Sequence, residues 1–558
     1  MKLAKWHAQR RVHFAYSRLV SQRAGALLAL SIGLLVIAIR APLMDLPLER
    51  DEGEYAYIAW RMTFGETPYL DWFDQKPPGI FAAYRVAIGL SDNAVVAIRA
   101  LAAVFSAVSS VALFYLVRSL LGVGAGVTSA LLLAFLSADP VIQGSIANTE
   151  LFMLPGIIIA TLLVLRAIGS QQTAIAASVA AGVSIGIAIA FKQVAVLNVP
   201  FFLLAFGLRV RGPDRWRRLA AFSAWMGAGV ALVWVPILAW LQLRGALGVA
   251  IDATFLHNLS YAGALPLSRR VELLISYGRP LLPTQGIAWA LAALGLIGLA
   301  RRRDRFPALF LAGWAVFSAA GVGVSGHYFP HYLQQLLPAI AALAGAAIMP
   351  RREDREPSRW RVAVIGCLAL GPLVLTALSF WTLSPAAAIK SIYPHNSFED
   401  MPAIASEIES ITERDDAVFV FGAEPELLFY ARRASATRYI YLFPLFGPFP
   451  DARERQQGVI DEISNARPQV MVWLPNLSFF KKGAPQLLTN WFRRFSAREY
   501  RPHAFRIGAE GGGMELVRVP EGRDPNAVLR GRKPTATVFI RKDAARDFHG
   551  ADLQSPAP

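Results

Sequence analysis

The sequence predicts a polytopic α-helical membrane protein that carries a small α/β domain toward its C-terminal end. Three observations predict it. Of 558 residues, 55% are hydrophobic and only 17% charged, and the mean hydropathy is positive, a balance foreign to a water-soluble enzyme of this size. The apolar residues gather into runs of roughly 20, the length that crosses a hydrocarbon core. From residue 384 the long runs stop, and short apolar strands alternate with amphipathic helices.

Six uncharged runs qualify as spans outright: 119–138, 167–191, 219–243, 280–300, 306–326 and 362–389. Five more qualify once an end charge is allowed to reach the interface: 24–44 with Arg40, 94–117 with Arg99, 151–165, 193–208 and 332–350. The total is eleven. Residues 1–23 hold Lys2, Lys5, Arg10, Arg11, Arg18 and Arg23 without an acid, which places this end in the cytoplasm by the positive-inside rule. The segment is too basic, and its first apolar run too long, to read as a cleaved signal peptide. Alternating from there, the cytoplasmic turns fall at Arg118, Arg166, 209–218, 301–305 and 351–361, all basic. The other face receives the 45–93 loop, 138–150, the turn at Lys192, 242–279, 327–331 and everything after about 383. This orientation accounts for the net charge of +17, so the basic balance is a topology signal and no nucleic-acid partner is expected. The lone Cys367 falls in the last span, so the external domain is expected to hold by packing without a disulfide.

In the C-terminal part, 400–413 has helical spacing, 417–422 reads as a buried strand, 424–433 as a short helix and 437–443 as another strand. A helix at 451–466 and a strand at 468–474 follow. The alternation implies a partly parallel sheet in an α/β domain over 384–520, with 521–558 read as a loosely ordered tail.

The chemistry concentrates in the 45–93 loop. It holds nine acids against four bases in a protein of opposite overall sign. Asp51 and Glu52 are adjacent, so on a helix they point about 100° apart and only one can reach a given hydroxyl; the other would hold a partner, a metal or a helix end. Inverting sugar transfer needs one carboxylate to take the acceptor's proton and cations to stabilise the departing phosphate. Lys76, beside the rigid Pro77-Pro78 pair, supplies one cation on that face. Lys192 supplies another, isolated at membrane depth where an unpaired ammonium is costly. Each has a duller reading, the acids as a solvated loop and the lysines as side chains covering apolar surface. His327 and His331 are spaced four apart, but Pro330 between them argues against an unbroken metal-binding helix. An aromatic interfacial turn with Tyr328, Phe329 and Tyr332 is the alternative.

The stretch Arg-Asp-Glu-Gly-Glu-Tyr-Ala-Tyr at 50–57, followed by Asp-Gln-Lys-Pro-Pro-Gly at 74–79, resembles the first external loop of the GT-C glycosyltransferases. Within that superfamily it is similar to bacterial relatives of protein O-mannosyltransferase and of the lipid A aminoarabinose transferase. Ala-Asn-Thr-Glu at 147–150, Phe-Lys-Gln at 191–193, Gly-His-Tyr at 326–328 and Leu-Gln-Gln-Leu-Leu-Pro at 333–338 resemble further landmarks, and Phe-Gly-Ala-Glu-Pro-Glu at 421–426 resembles the variable C-terminal part. The resemblance covers roughly 24–350. It implies a GT-C fold, a sugar donor on a polyprenyl phosphate and a catalytic first-loop acid, with inversion outside the cytoplasm of a bacterial inner membrane. Taken with the residue reading above, it gives as expected site residues catalytic Asp51 or Glu52, with Asp51 slightly favoured, donor-phosphate contacts from Lys76 and Lys192, and substrate contacts from Glu54, Tyr55, Asp74, Glu150, His327 and Tyr328, where Glu54 would cap or pair and not react and Glu150 could be a helix-end charge. The acceptor would be a hydroxyl of an envelope glycan, lipid or protein, with membrane lipids around the helices. The loop acids could serve a divalent cation or dispense with one, so no cofactor is assigned. The competing class is a polyprenyl-lipid flippase, which would place paired charges deep within its spans.

Overall fold

The computed structural model describes residues 23–172, 174–263, 265–349, 359–447, 449–475, 483–509 and 513–543. The basic segment 1–22, the stretch 351–358 of the last basic loop and the end of the tail from 544 lie outside them. Among the described residues, eight helices are long and apolar enough to cross a bilayer: Arg23–Leu43, Ala94–Leu121, Thr149–Gly169, Ala174–Phe191, Arg215–Leu243, Leu267–Ala300, Phe306–Gly323 and Ala363–Trp381. The other three predicted spans are met by shorter helices, Val123–Leu136, Gln193–Arg209 and Leu337–Ala346. Each has a local cause. Gly122, at φ +93°, breaks the chain between the second and third apolar runs. Lys192 is extended and is followed by a 3-10 turn, Gln193–Leu197. Pro330 opens a 3-10 turn, Pro330–Gln335, ahead of Leu337–Ala346. The predicted span 362–389 is shorter than read, because its helix ends at Trp381 and Ser384 caps a separate helix, Pro385–Ile392.

Small residues set the helix contacts, as expected where lipid gives no hydrophobic drive between helices. The helices Ala174–Phe191 and Arg215–Leu243 meet at Gly182 and Gly229, so closely that a Cβ on Gly182 would lie 2.9 Å from the Gly229 Cα. Gly156 lets Thr149–Gly169 approach Ser184 and Ala188 in the same way. On the outer surface, Leu232, Val235, Leu368 and Leu375 are exposed, as lipid-facing side chains should be.

The 45–93 loop is itself structured. Glu49 caps the helix Arg50–Arg61 in a capping box with Glu52, and Pro78 starts the helix Gly79–Leu90. Against this loop sits the C-terminal domain, whose strands are β1 (Ala417–Phe421), β2 (Ala434–Ser435), β3 (Val470–Trp473), β4 (Tyr500–Gly508), β5 (Met514–Arg518) and β6 (Ala536–Arg541). Their order is β2-β1-β3-β6-β4-β5, parallel on either side of β1 and antiparallel from β3 onward. Two sequence expectations are corrected. The strand at 437–443 does not form: β2 pairs for two residues only, after which Thr437 and Arg438 turn to bond the Glu462 carboxylate. The tail does not begin at 521, since β6 lies between β3 and β4 and extends the domain to about residue 543.

The domain docks on the loop helix through backbone contact. The Leu48 N–H donates to the Tyr430 hydroxyl at 2.7 Å, the Ser435 N–H to that of Tyr57 at 2.8 Å, and the Phe73 N–H to the Arg438 carbonyl at 3.0 Å. Arg50 lies 3.6 Å from Glu424. Gly53 makes the close approach feasible, because a Cβ there would stand 2.5 Å from the Glu426 backbone. Gly53→Ala should therefore loosen the domain by about 1–3 kcal/mol, seen as faster proteolysis of the C-terminal domain in the detergent-purified protein.

Candidate active site

The helix Arg50–Arg61 presents neighbouring carboxylates to two different environments. Glu52 is fully buried. It accepts hydrogen bonds from Arg99 Nε at 3.0 Å and Nη2 at 2.6 Å, from the Ala147 N–H at 2.7 Å and from the Glu49 N–H at 3.2 Å. With four donors around it, Glu52 holds a helix end and a cationic partner. Asp51, one residue earlier and so on the next face, keeps a 28% exposed side chain. The Tyr55 hydroxyl, one turn on, donates to Asp51 Oδ2 at 3.4 Å, and Lys76 Nζ lies 3.8 Å from the same oxygen.

Lys76 is fixed from several sides. Its ammonium stands 5.5 Å above the Tyr55 ring, and its backbone N–H donates to Asp74 Oδ1 at 2.7 Å. The carbonyl of the preceding Gln75 accepts from Gln193 at 3.0 Å and Asn258 at 2.9 Å. Gly79, whose Cβ would meet the Ala190 carbonyl at 2.5 Å, lets the proline turn close on the end of Ala174–Phe191. That approach brings Lys76 and Lys192 to one cavity. The cavity, of about 330 Å³, is lined by Lys76, Lys192 and Glu150 together with Gln193, Tyr332 and Gln335. Lys192 forms an ion pair with Glu150, which also accepts from the Thr149 hydroxyl at 3.0 Å, and its ammonium stands 3.9 Å over the Tyr332 ring. The opposite wall is apolar, with Val196, Phe255, Leu259 and Val324 exposed where the bilayer would be.

The loop acids separate by charge state. Burial alone would raise the Asp51 carboxyl, but the positive charges of Lys76, His331, Arg50 and Lys192 outweigh it and hold the group below the usual carboxylate range. Glu54 and Asp74 lie buried behind it in hydrogen-bond contact. Desolvation, then each other's negative charge, pushes Glu54 well up, and Asp74 is pushed to about 6 mainly by burial. Two such carboxyls share a proton.

The turn at 325–332 is an aromatic interface. His327 and His331 each stack on Phe329, with centroids at 5.8 and 6.0 Å, and bond to the Ser325 carbonyl at 3.0 Å and the Gln143 side chain at 2.5 Å respectively. His327 and Tyr328 are not among the residues lining the cavity, which takes Ser325 and Tyr332 from this turn. The site acids are matched singly to cations, Asp51 to Lys76, Glu52 to Arg99 and Glu150 to Lys192. Among the described residues no three His, Cys, Asp or Glu side chains converge as a metal site. Sequence reasoning missed Arg99, read as an end charge, and the pair Gln193 and Asn258; the charge in an apolar run was the one available signal.

Many apolar helices, a loop between the first two of them folded beside a lysine-lined cavity and an appended sheet domain make this the GT-C architecture. Residues 75–240 match the family described as dolichyl-phosphate-mannose-protein mannosyltransferase. The chain superposes on ArnT from Cupriavidus metallidurans bound to undecaprenyl phosphate with a TM-score of 0.59 at 16% identity, over 94% of this chain and 99% of that one. On the Archaeoglobus fulgidus oligosaccharyltransferase the TM-score is 0.52 at 13% identity, over 89% and 75%. On the mycobacterial arabinofuranosyltransferase AftD it is 0.51 at 17%, over 93% and 41%. No curated protein sequence matches the chain.

The Glu54–Asp74 pair gives a pH prediction. The folded pair keeps protons that unfolded carboxyls release above about pH 4, so stability falls as pH rises toward and past the Asp74 value of about 6. Glu54→Gln keeps a donor to Asp74 and removes one ionisation. Its thermal midpoint in detergent should match that of the unaltered protein at pH 5 and exceed it at pH 8 by roughly 2 °C.

Proposed function

We propose that the protein is an inverting glycosyltransferase that moves a sugar from a polyprenyl-phosphate donor to a hydroxyl of an envelope glycan, lipid or protein. The observation that carries this is the cavity itself, with two lysines at its polar end, an ionised aspartate beside one of them and an apolar side open toward lipid. Phosphate on a long hydrocarbon tail has that polarity. The ArnT and Archaeoglobus AglB neighbours, bound to undecaprenyl phosphate and dolichol phosphate respectively, support the donor class.

In this reading the donor's phosphate lies between Lys76 and Lys192, with its tail passing Val196, Phe255 and Leu259 into the bilayer. Asp51 takes the proton of the acceptor hydroxyl as its oxygen attacks the anomeric carbon from the face opposite the phosphate. The sugar–phosphate bond breaks, both electrons leave with the phosphate oxygen, and the lysines stabilise that charge. Glu52 is assigned to support, because its lone pairs are already taken by Arg99 and backbone N–H groups. Glu54, Asp74 and Tyr55 hold Asp51 and Lys76 in place, and Glu150 orients Lys192. The protein is placed in a bacterial inner membrane, N-terminus inside and the C-terminal domain outside.

Purified protein given a radiolabelled polyprenyl-phosphate sugar should release the sugar from its lipid; movement across the bilayer without bond cleavage would make it a flippase instead. Asp51→Asn should lower turnover by about 10²–10⁴-fold while the protein stays folded. Glu52→Gln should fail differently, losing about 3–5 kcal/mol of stability by leaving Arg99 as a buried, unmatched charge. Lys76→Met should cost about 2–5 kcal/mol of transition-state stabilisation, as should Lys192→Met when combined with Glu150→Gln to keep the site neutral. Unchanged catalytic efficiency in both lysine variants would remove them from the site.

A further inference from the structure

A second cavity, of about 370 Å³, lies at the other end of the helix Ala174–Phe191, about 27 Å from Lys192 by the rise of its 18 residues. It is a groove rimmed by the start of that helix, the end of Asn198–Arg209 and the start of Arg215–Leu243. The two halves of the groove differ in character. Arg217, Arg218, Asp214 and Gln171 form its mouth, two cations against one acid, and among the described residues neither arginine side chain has a hydrogen-bond or ion-pair partner. Five arginines stand against one aspartate between 209 and 218, so the mouth carries a strong positive field. The floor is aromatic, with Phe206 and Phe222 stacked at 4.3 Å and 11°. The side is apolar and open, with Ile175 56% and Trp225 43% exposed on the surface that faces lipid. Trp216, 66% exposed at the start of the same helix, marks the interface level.

A cationic mouth over an apolar flank, at the depth of the head groups, matches a phosphate ester with hydrocarbon chains. Basic pockets between membrane helices hold lipid phosphates for this reason. We propose that this groove seats an anionic phospholipid of the bilayer, its phosphate between Arg217 and Arg218 and its acyl chains along Ile175 and Trp225. The occupant is a bilayer lipid and not a soluble phosphate, because the groove is open along its apolar side. The inference does not rest on the proposed transferase reaction, since no residue of the groove touches the lysine-lined cavity.

The test is native mass spectrometry of the full-length protein released from vesicles of phosphatidylglycerol and phosphatidylcholine in equal parts. The proposal expects at least fivefold preferential retention of phosphatidylglycerol, lost in the double variant Arg217→Gln/Arg218→Gln. It expects the same loss in Ala221→Phe, which fills the groove and leaves both charges in place, so a folding defect of the charge variant alone would not decide the matter. Arg301→Gln, on the same face outside the groove, should retain the lipid as before. Equal retention of the two lipids, or retention unchanged in both groove variants, would overturn the proposal. So would release of the lipid by inorganic phosphate alone at millimolar concentration, which would identify the mouth as a site for soluble anions.

Discussion

The buried ion pair between Glu52 and Arg99 is the constraint on which the site is built. Arg99 belongs to the helix Ala94–Leu121 and Glu52 to the loop helix; Ala147, which donates to the same carboxylate, precedes the helix Thr149–Gly169. Arg99 also donates to the carbonyls of Leu46 and Pro47, the residues by which the chain leaves its first helix. One charge pair therefore ties the entry of the loop, its helix and two membrane helices to a common point. Desolvating both ions is expensive, and hydrophobic residues of the same volume would stabilise as well. What an apolar contact would lack is direction. The carboxylate accepts along fixed lines, so the loop helix cannot rotate, and Asp51 on the next face is held toward Lys76.

A second consequence of that arrangement is electrostatic. With Glu52 matched to Arg99, Asp51 is left to Lys76, whose charge, with those of Arg50 and Lys192, keeps it ionised despite its partial burial. The opposite happens a turn further along, where burial, then the charge of Asp74, pushes the Glu54 carboxyl well up, and the two carboxyls share a proton. The same helix thus carries two carboxyls, Asp51 and Glu54, shifted in opposite directions by the partners each meets.

That distinction bounds what the sequence could reveal. The membrane class, the positions of most helices, the acidic loop and the pairing of Lys76 with Lys192 were legible because runs of apolar residues and isolated charges are local signals. The different surroundings of Asp51 and Glu52 were not, since they depend on Arg99 being 47 positions from Glu52 in sequence and 2.6 Å away in space. The strand expected at 437–443 fails for a related reason: its composition suits a sheet, but Thr437 and Arg438 are claimed by Glu462. Likewise β6 reads as part of a polar tail because a strand of six residues flanked by Arg, Gly and Pro gives little periodicity; its place between β3 and β4 is a tertiary fact. His327 and Tyr328 stood out as chemistry by residue type, and the aromatic stack absorbs the histidine into the wall of the fold.

The position of β6 also fixes an order of assembly. It joins the parallel half of the sheet, β1 to β3, to the antiparallel pair β4 and β5, and it is synthesised after all of them. While the ribosome is still adding residues 500–530, the two halves have no backbone bonds to each other, and the domain that packs on Gly53 and Tyr57 is incomplete. Membrane helices inserted much earlier must wait with the loop helix beside an unfinished domain. A chain that stops short of residue 536 would keep Tyr430, Ser435 and Arg438, which meet the 45–93 loop, but would lack the strand that ties their half of the sheet to β4 and β5, so the support of the site depends on the last strand made.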